Sequence, residues 1–177
     1  MVTNWFKNIM SAVYFGGMLQ GSGGSGYGYN KPVKDRSNTT YYPSHDPKTS
    51  TTMGFTTTTS GVIIGTGNTA ATDEDIDLES QITSGITASS PVVTKGMNGT
   101  KCSIMLRYVL SNTTGADIVI KEVGLRGTAQ LASSAGATST STKYVLFDRT
   151  VLSSPLTVPA GNSAALEYTI ESDWDLS

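Results

Sequence analysis

Apolar and polar residues alternate strictly over one stretch near the middle of the chain. From Lys101 to Asn112, every second residue is apolar, which is typical of a strand with one face in a core and the other in water; the apolar residues are Cys102, Ile104, Leu106, Tyr108 and Leu110. Residues 117–124 repeat the pattern, and a turn-forming Asn-Thr-Thr-Gly sequence lies between the two stretches. The two stretches are therefore predicted to form a β-hairpin.

Further short strands are predicted on both sides of this hairpin. They cover residues 62–64, 91–94, 144–151, 156–159 and 164–170. Because the apolar face of one sheet must be covered, we expect an all-β fold, an antiparallel β-sandwich of the immunoglobulin-like or jelly-roll type. One shared core is expected from Ile104, Leu106, Tyr108, Ile118, Ile120, Leu166, Tyr168 and Ile170. Residues 128–142, which are mostly Ala, Ser, Thr and Gly, are predicted to form a surface loop.

Two glycines in this region carry expectations of their own. Gly161 follows Pro159 in a Pro-Ala-Gly-Asn sequence and is expected to take a positive φ in a tight turn. Gly124 interrupts an apolar strand, and we expect it to allow a bulge at the edge of a sheet.

A short amphipathic helix is predicted near the N-terminus. One face is apolar at helical spacing and is formed by Trp5, Phe6, Ile9, Met10 and Val13. A signal peptide is disfavoured because the apolar stretch has only one basic residue ahead of it and no Ala-x-Ala site after it. The apolar run is also shorter than the roughly 18 residues of a membrane span. We therefore expect the helix to dock on protein and not on a membrane.

The segment after this helix is predicted to be an extended arm. Residues 20–30 are rich in Gly, Ser and Tyr, and residues 31–60 are polar, with three prolines and a Thr tract. Such a segment buries too little apolar area to offset an entropy loss of about 1 to 2 kcal/mol per residue, so we expect other chains to order it. The predicted division is an assembly arm, residues 1–60, and a β-sandwich domain, residues 61–177. The candidate assembly residues are Trp5, Phe6, Ile9, Met10, Val13, Tyr27, Tyr29, Tyr41 and Tyr42.

Composition argues against several classes of function. With 12 Lys and Arg against 14 Asp and Glu, the net charge is -2, so the chain lacks the basic excess of a nucleic-acid binder. One Cys and one His exclude an intrachain disulfide and most zinc sites. Nothing in the sequence singles out a pair of carboxyls or a nucleophile with its base. We expect no catalytic residues, no cofactor and no metal, and hence a protein that is not an enzyme.

The densest charge cluster has the outline of a calcium loop. It comprises Asp73, Glu74, Asp75, Asp77 and Glu79, with no basic residue between them. A calcium loop of the EF-hand type needs glycine at its sixth position and a glutamate at its twelfth, where this chain has Leu78 and Ser84. A solvated acidic loop that discourages pairing between sheet edges is the stronger interpretation.

A set of motifs spread over residues 61–171 resembles small structural proteins of tailed-bacteriophage virions. The motifs are Gly65-Thr-Gly67, Asp75-x-Asp77-Leu-Glu79-x-x-Ile82, Ile120-Lys-Glu122-Val-Gly124-Leu125 and Phe147-Asp-Arg149-Thr-Val-Leu152-x-x-Pro155-Leu-Thr-Val-Pro159-Ala-Gly161. The resemblance implies a non-enzymatic virion component of the neck, tail or capsid exterior. Its expected partners are other copies of itself, in a homo-oligomer, and other virion proteins.

One other class of function stays open at this point. A virion adhesin that binds a host receptor or glycan would use an exposed loop, and residues 128–142 are the candidate. That stretch contains no Tyr or Trp to stack on a sugar ring.

Overall fold

The computed structural model describes residues 32–43, 49–50, 56, 59–98, 101–134 and 139–173. The regular secondary structure in these residues consists of β-strands alone, which confirms the all-β class for the described part of the chain. Ten strands occur: β1 Val33–Lys34, β2 Thr40–Pro43, β3 Thr49–Ser50, β4 Gly61–Gly65, β5 Ile86–Ala88, β6 Val92–Asn98, β7 Lys101–Asn112, β8 Ile118–Ala132, β9 Thr140–Val158 and β10 Ser163–Asp173. The predicted N-terminal helix lies outside the described residues.

The strands form two antiparallel sheets, each built on one long central strand. In the six-stranded sheet, β8 pairs with β9 along one side and successively with β4, β3 and β2 along the other, and β1 lies outside β2. In the four-stranded sheet, β7 pairs with β10 on one side and with β6 and β5 on the other.

Both sheets contribute to one hydrophobic core. Alternation along β7 and β10 turns Leu106, Tyr108, Leu110 and Leu166 into it, and β8 and β9 add Ile120, Val123 and Phe147 from the other sheet. The expected shared core is confirmed: Leu106, Tyr108, Ile120, Leu166 and Tyr168 are buried, and Ile104, Ile118 and Ile170 are partly buried against them. The Tyr168 hydroxyl also donates a 2.6 Å hydrogen bond to Asp148 of β9.

The predicted hairpin between β7 and β8 is wrong, because the two strands belong to different sheets. Residues 113–117 form an arch that crosses from one sheet to the other. Asn112, only 3% exposed, holds this arch: its side-chain amide donates to the carbonyl oxygens of Ala116 at 2.7 Å and Val158 at 2.9 Å. Its side-chain oxygen accepts from the backbone and hydroxyl of Thr114. These bonds satisfy the polar groups of a turn that has no ladder partner.

The predicted surface loop at residues 128–142 is also wrong over most of its length. β8 and β9 continue as a paired ladder as far as Ala132 and Thr140. Ala129, Leu131 and Ala132 are buried, and Ala129 and Leu131 belong to the same core cluster as Val33 of the arm, with Tyr41 packed against it. Small side chains here indicate a closely covered sheet end.

The described part of the arm belongs to the six-stranded sheet of its own chain. β2 and β3 pair with β8, β1 pairs with β2, and Val33 is fully buried. For these residues, the expectation that other chains order the arm is wrong. The Tyr41 ring lies 4.5 Å from the Lys143 ammonium and against the core, so this candidate assembly residue has contacts within the chain.

The two glycine expectations have different outcomes. Gly161 has φ of 65° in the turn before β10, as predicted. Gly124 lies in the central strand β8, between β4 and β9, so its predicted position at a sheet edge is wrong. A Cβ atom at Gly124 would come within 2.9 Å of both the Asp148 carbonyl oxygen and Leu78, so close packing requires the glycine.

We expect Leu106→Ala to lower the free energy of unfolding by about 2 to 5 kcal/mol, because it opens a cavity between the two sheets. Val109→Ala, on the same strand but 48% exposed, is the control and should change it by less than about 0.5 kcal/mol. Urea denaturation measures both. Equal losses in the two variants would mean that the faces of β7 are assigned the wrong way round.

Candidate functional site

The outer face of the six-stranded sheet is covered by the long connection between β4 and β5, residues 66–85. Leu78 of this connection packs against Ile63 and Leu146 in a small cluster separate from the main core. The returning residues run beside β4, where the Ile82 amide donates to the Ile64 carbonyl oxygen and the Thr66 amide to the Ser80 carbonyl oxygen. All five residues of β4 are buried as a result.

Glu122 is the central side chain beneath this connection. It is fully buried on β8, and its carboxylate accepts four hydrogen bonds. Three come from the backbone amides of Gly67 at 3.1 Å, Glu79 at 3.1 Å and Ser80 at 2.8 Å. The fourth comes from the Arg149 Nε at 2.8 Å. Both oxygens are thus satisfied, as a buried carboxylate requires.

Glycine at positions 65 and 67 makes room for this carboxylate. A Cβ atom at Gly67 would lie 2.6 Å from the Glu122 Oε1 and 2.5 Å from the Glu79 Cβ. A Cβ atom at Gly65 would lie 2.5 Å from the Ser80 carbonyl oxygen and would also collide with Glu122. The Gly-Thr-Gly sequence therefore allows the backbone to approach the Glu122 carboxylate.

Arg149 of β9 connects Glu122 to the acidic connection. Its Nη1 donates to Asp75 at 2.8 Å, and its Nη2 donates to the Thr69 carbonyl oxygen at 3.1 Å and lies 3.5 Å from Glu79. The sheet register places Glu122 and Arg149 diagonally on neighbouring strands of the same face. Arg149 is 3% exposed, so its charge is balanced by carboxylates and not by water.

A second arginine holds the next part of the connection. Arg126 of β8 is fully buried, and its Nη2 donates to Asp77 and, at 2.9 Å, to Gln81. Asp77 also lies 3.7 Å from Arg36 of the arm. We call Asp75, Asp77, Glu79, Glu122, Arg126 and Arg149 the charge network.

The expectation of a solvated acidic loop is wrong for Asp75 and Asp77. Both are partly buried and paired with arginines that lie 74 and 49 residues further along the chain. The sequence shows no basic residue near them because the compensating charges come from β8 and β9.

The network shifts the pKa values of three of its members, Asp75, Glu79 and Arg149. Burial by itself would raise the pKa of Asp75, but Arg149 and the backbone and hydroxyl of Thr72 hold it below its ordinary value. The pKa of Glu79 is lowered by hydrogen bonds from the Thr69 backbone and hydroxyl. Burial opposes the charge of Arg149, yet Asp75 and Glu122 raise its pKa. All three side chains therefore stay charged near neutral pH.

The carboxylate oxygens of the network accept hydrogen bonds from arginine side chains, backbone amides and threonine hydroxyls. Among the described residues, no group of three or more His, Cys, Asp or Glu side chains is placed to hold a metal ion. The arrangement can clamp a segment of chain onto a sheet.

The candidate assembly residues are only partly within the described residues. Tyr41 and Tyr42 lie on β2 and are half-buried. The others, Trp5, Phe6, Ile9, Met10, Val13, Tyr27 and Tyr29, lie outside them.

No protein family model, curated protein or solved structure matches the chain. In the part of the chain that the structure describes, no helix has the length and apolar character needed to cross a membrane. Any function assigned to the chain therefore depends on its own residues.

We expect Glu122→Gln to lower the free energy of unfolding by about 3 to 5 kcal/mol, because it removes one member of a buried ion pair and leaves Arg149 short of negative charge. The control is Glu167→Gln, which removes an exposed pair with Arg107 at 3.6 Å and should have little effect. Urea denaturation measures both. A small loss for Glu122→Gln would show that the network is not what fixes the connection.

Acid should weaken the fold through Asp75. Its folded-state pKa is lowered, so the unfolded chain binds more protons, and this contribution to stability is present above the ordinary pKa and lost as pH falls through the folded one. Thermal unfolding between about pH 5 and pH 2 should show Tm falling with pH, and Asp75→Asn should flatten that slope. Identical slopes in the two proteins would contradict this role for Asp75.

Proposed function

We propose that the chain is a non-enzymatic structural protein of a tailed-bacteriophage virion, located in the neck, tail or capsid exterior. It assembles as a homo-oligomer and with other virion proteins. Its fold is an antiparallel β-sandwich of the immunoglobulin-like or jelly-roll type, with an N-terminal arm that carries a short amphipathic helix.

One observation carries the proposal: the residues of the phage-like motifs meet in the charge network. Gly67, the acids Asp75 and Glu79, and the pair Glu122 and Arg149 come from separate motifs, and direct hydrogen bonds and ion pairs link them. The motifs thus describe the internal framework of a domain. Motifs that form such a framework support a resemblance in structural role.

The state of the buried charges supports a role without catalysis. Glu122 has four donors and is fully buried, and Arg149 has four acceptors nearby. Side chains so fully engaged have no free position for a substrate atom or a proton in transfer. Their charges and hydrogen bonds stabilise the fold.

Most of the predicted loop at residues 128–142, which the adhesin alternative requires, is paired strand. Residues 128–132 and 140–142 belong to β8 and β9, and only residues 133–139 connect the two strands. A paired ladder offers a receptor far less adaptable surface than a long loop. We therefore retain the assembly role alone.

Mass spectrometry of purified virions from a host that carries this gene tests the proposal. We expect the intact chain in the particles, in constant ratio to the other virion proteins. Recovery of the chain only from the particle-free fraction would contradict the proposal.

Deletion of residues 1–30 tests the role of the arm in assembly. This deletion stops before β1, so it spares buried Val33. The shortened chain should keep its thermal unfolding transition but appear as a monomer in native mass spectrometry and be lost from particles. The matched control, Lys7→Ala, changes only the polar face of the predicted helix and should assemble normally.

A further inference from the structure

In one part of the four-stranded sheet, the face that elsewhere packs in the core is exposed to solvent. Val93 of β6 pairs directly with Leu106 of β7, which is fully buried, so both point to the core side. Lys95 and Met97 follow on the same side by alternation. Yet Val93 is 45% exposed and Met97 is 80% exposed. We call Val93, Lys95 and Met97, together with Ile104, the β6 overhang.

Burial decreases steadily across the rows of this face. In the row of Val93, Leu106 and Tyr168 are 0% and 7% exposed, whereas in the next row Ile104 and Ile170 are only partly buried. The facing sheet therefore covers the middle of β7 and of β10 and stops short of β6. Exposed apolar residues grouped on a core face mark a surface that another segment covers.

We infer that the apolar face of residues 5–13 covers the β6 overhang. This inference deepens the proposed function, on which it rests, because it names the surface that receives the arm. The segment offers Trp5, Phe6, Ile9, Met10 and Val13 at helical spacing. An amphipathic segment of this kind binds by laying its apolar side on an apolar surface. The flexible Met97 side chain suits contact with aromatic rings.

The arm enters the described structure at the matching end of the two sheets. β9 ends at Val158 and β10 begins at Ser163 after a short turn, and Tyr168 then bonds to Asp148, so the last residues of β10 lie toward the Thr140 end of β9. Near that end, the Arg36 amide donates to the Tyr144 carbonyl oxygen at 3.1 Å. The overhang lies at the same end, since the last residues of β10, 169–173, pair with the first residues of β7, 101–105, which also pair with residues 94–98 of β6.

The chain between the two parts is long enough to join them. Residues 14–32 separate the apolar face from β1, and they are rich in glycine and serine. A flexible linker of this length has a root-mean-square span of about 24 Å. Such a linker can deliver the segment to the overhang of its own chain or to that of a neighbouring copy.

Photo-crosslinking in the full chain tests the inference. Met97 is replaced by p-benzoylphenylalanine, a change that an 80% exposed position tolerates. Unlabelled and nitrogen-15-labelled chains are mixed before irradiation, and linked peptides are identified by mass spectrometry. The control carries the same photoreactive residue at Val119, which is 36% exposed on the other sheet. We expect links from position 97 to residues 1–19 and none from position 119.

The outcomes separate the covering segment from the assembly. Links from position 97 to residues 1–19 support the inference, and mixed-label pairs also support assembly through this contact. If all such links join residues of one chain, the covering segment is as inferred but the proposed assembly through the arm is contradicted. Links to residues 174–177 instead, or no links at all, overturn the inference even if native mass spectrometry finds a homo-oligomer.

Discussion

The buried pair of Glu122 and Arg149 is the interaction on which this structure depends. It joins β8 to β9 on the outer face of the six-stranded sheet, and through three backbone amides it also holds residues 67–80 there. Taking two charges out of water costs several kcal/mol per ion, and only a fully satisfied geometry offsets that cost. Every donor and acceptor of the site therefore has to be in place in the folded protein. Positions 65 and 67 have to be glycine because a side chain at either one would collide with the Glu122 carboxylate.

Polar contacts hold the connection because it has little apolar surface to bury. Leu78, 7% exposed, is its one buried apolar side chain among the described residues, with Ile76 and Ile82 partly buried against the main core. A short apolar contact fixes position poorly, since apolar packing is not directional. The two arginines set both position and orientation, because each reaches a different carboxylate of the connection. The charge network thus holds the connection against the outer face of the six-stranded sheet, whereas apolar packing holds the two sheets against each other.

Sequence alone predicts the parts of this fold that depend on local periodicity. The alternation in β7 and β10, the apolar β4 and the shared core were all evident from single strands and their inward residues. The arch at Asn112 was not, because alternating strands on either side of a turn look the same whether they pair in one sheet or face each other from two. The ladder at residues 128–132 was missed because Ala and Thr give a weak apolar signal. The network was missed because its partners lie up to 74 residues apart and no periodicity links them.

The two sheets differ in how their faces are closed, and this difference bears on assembly. The six-stranded sheet closes its outer face with its own connection, through contacts that need charged groups and weaken in acid. The β6 overhang exposes the apolar side chains of Val93 and Met97 on either side of Lys95, and a cover on these apolar side chains depends on surface removed from water and is insensitive to the charges of the network. In the proposed assembly, a segment bound there can therefore leave or exchange between copies while the charge network keeps the domain folded. The proposed virion role requires this separation, because a chain in that role has to fold before it meets its neighbours and join them without unfolding.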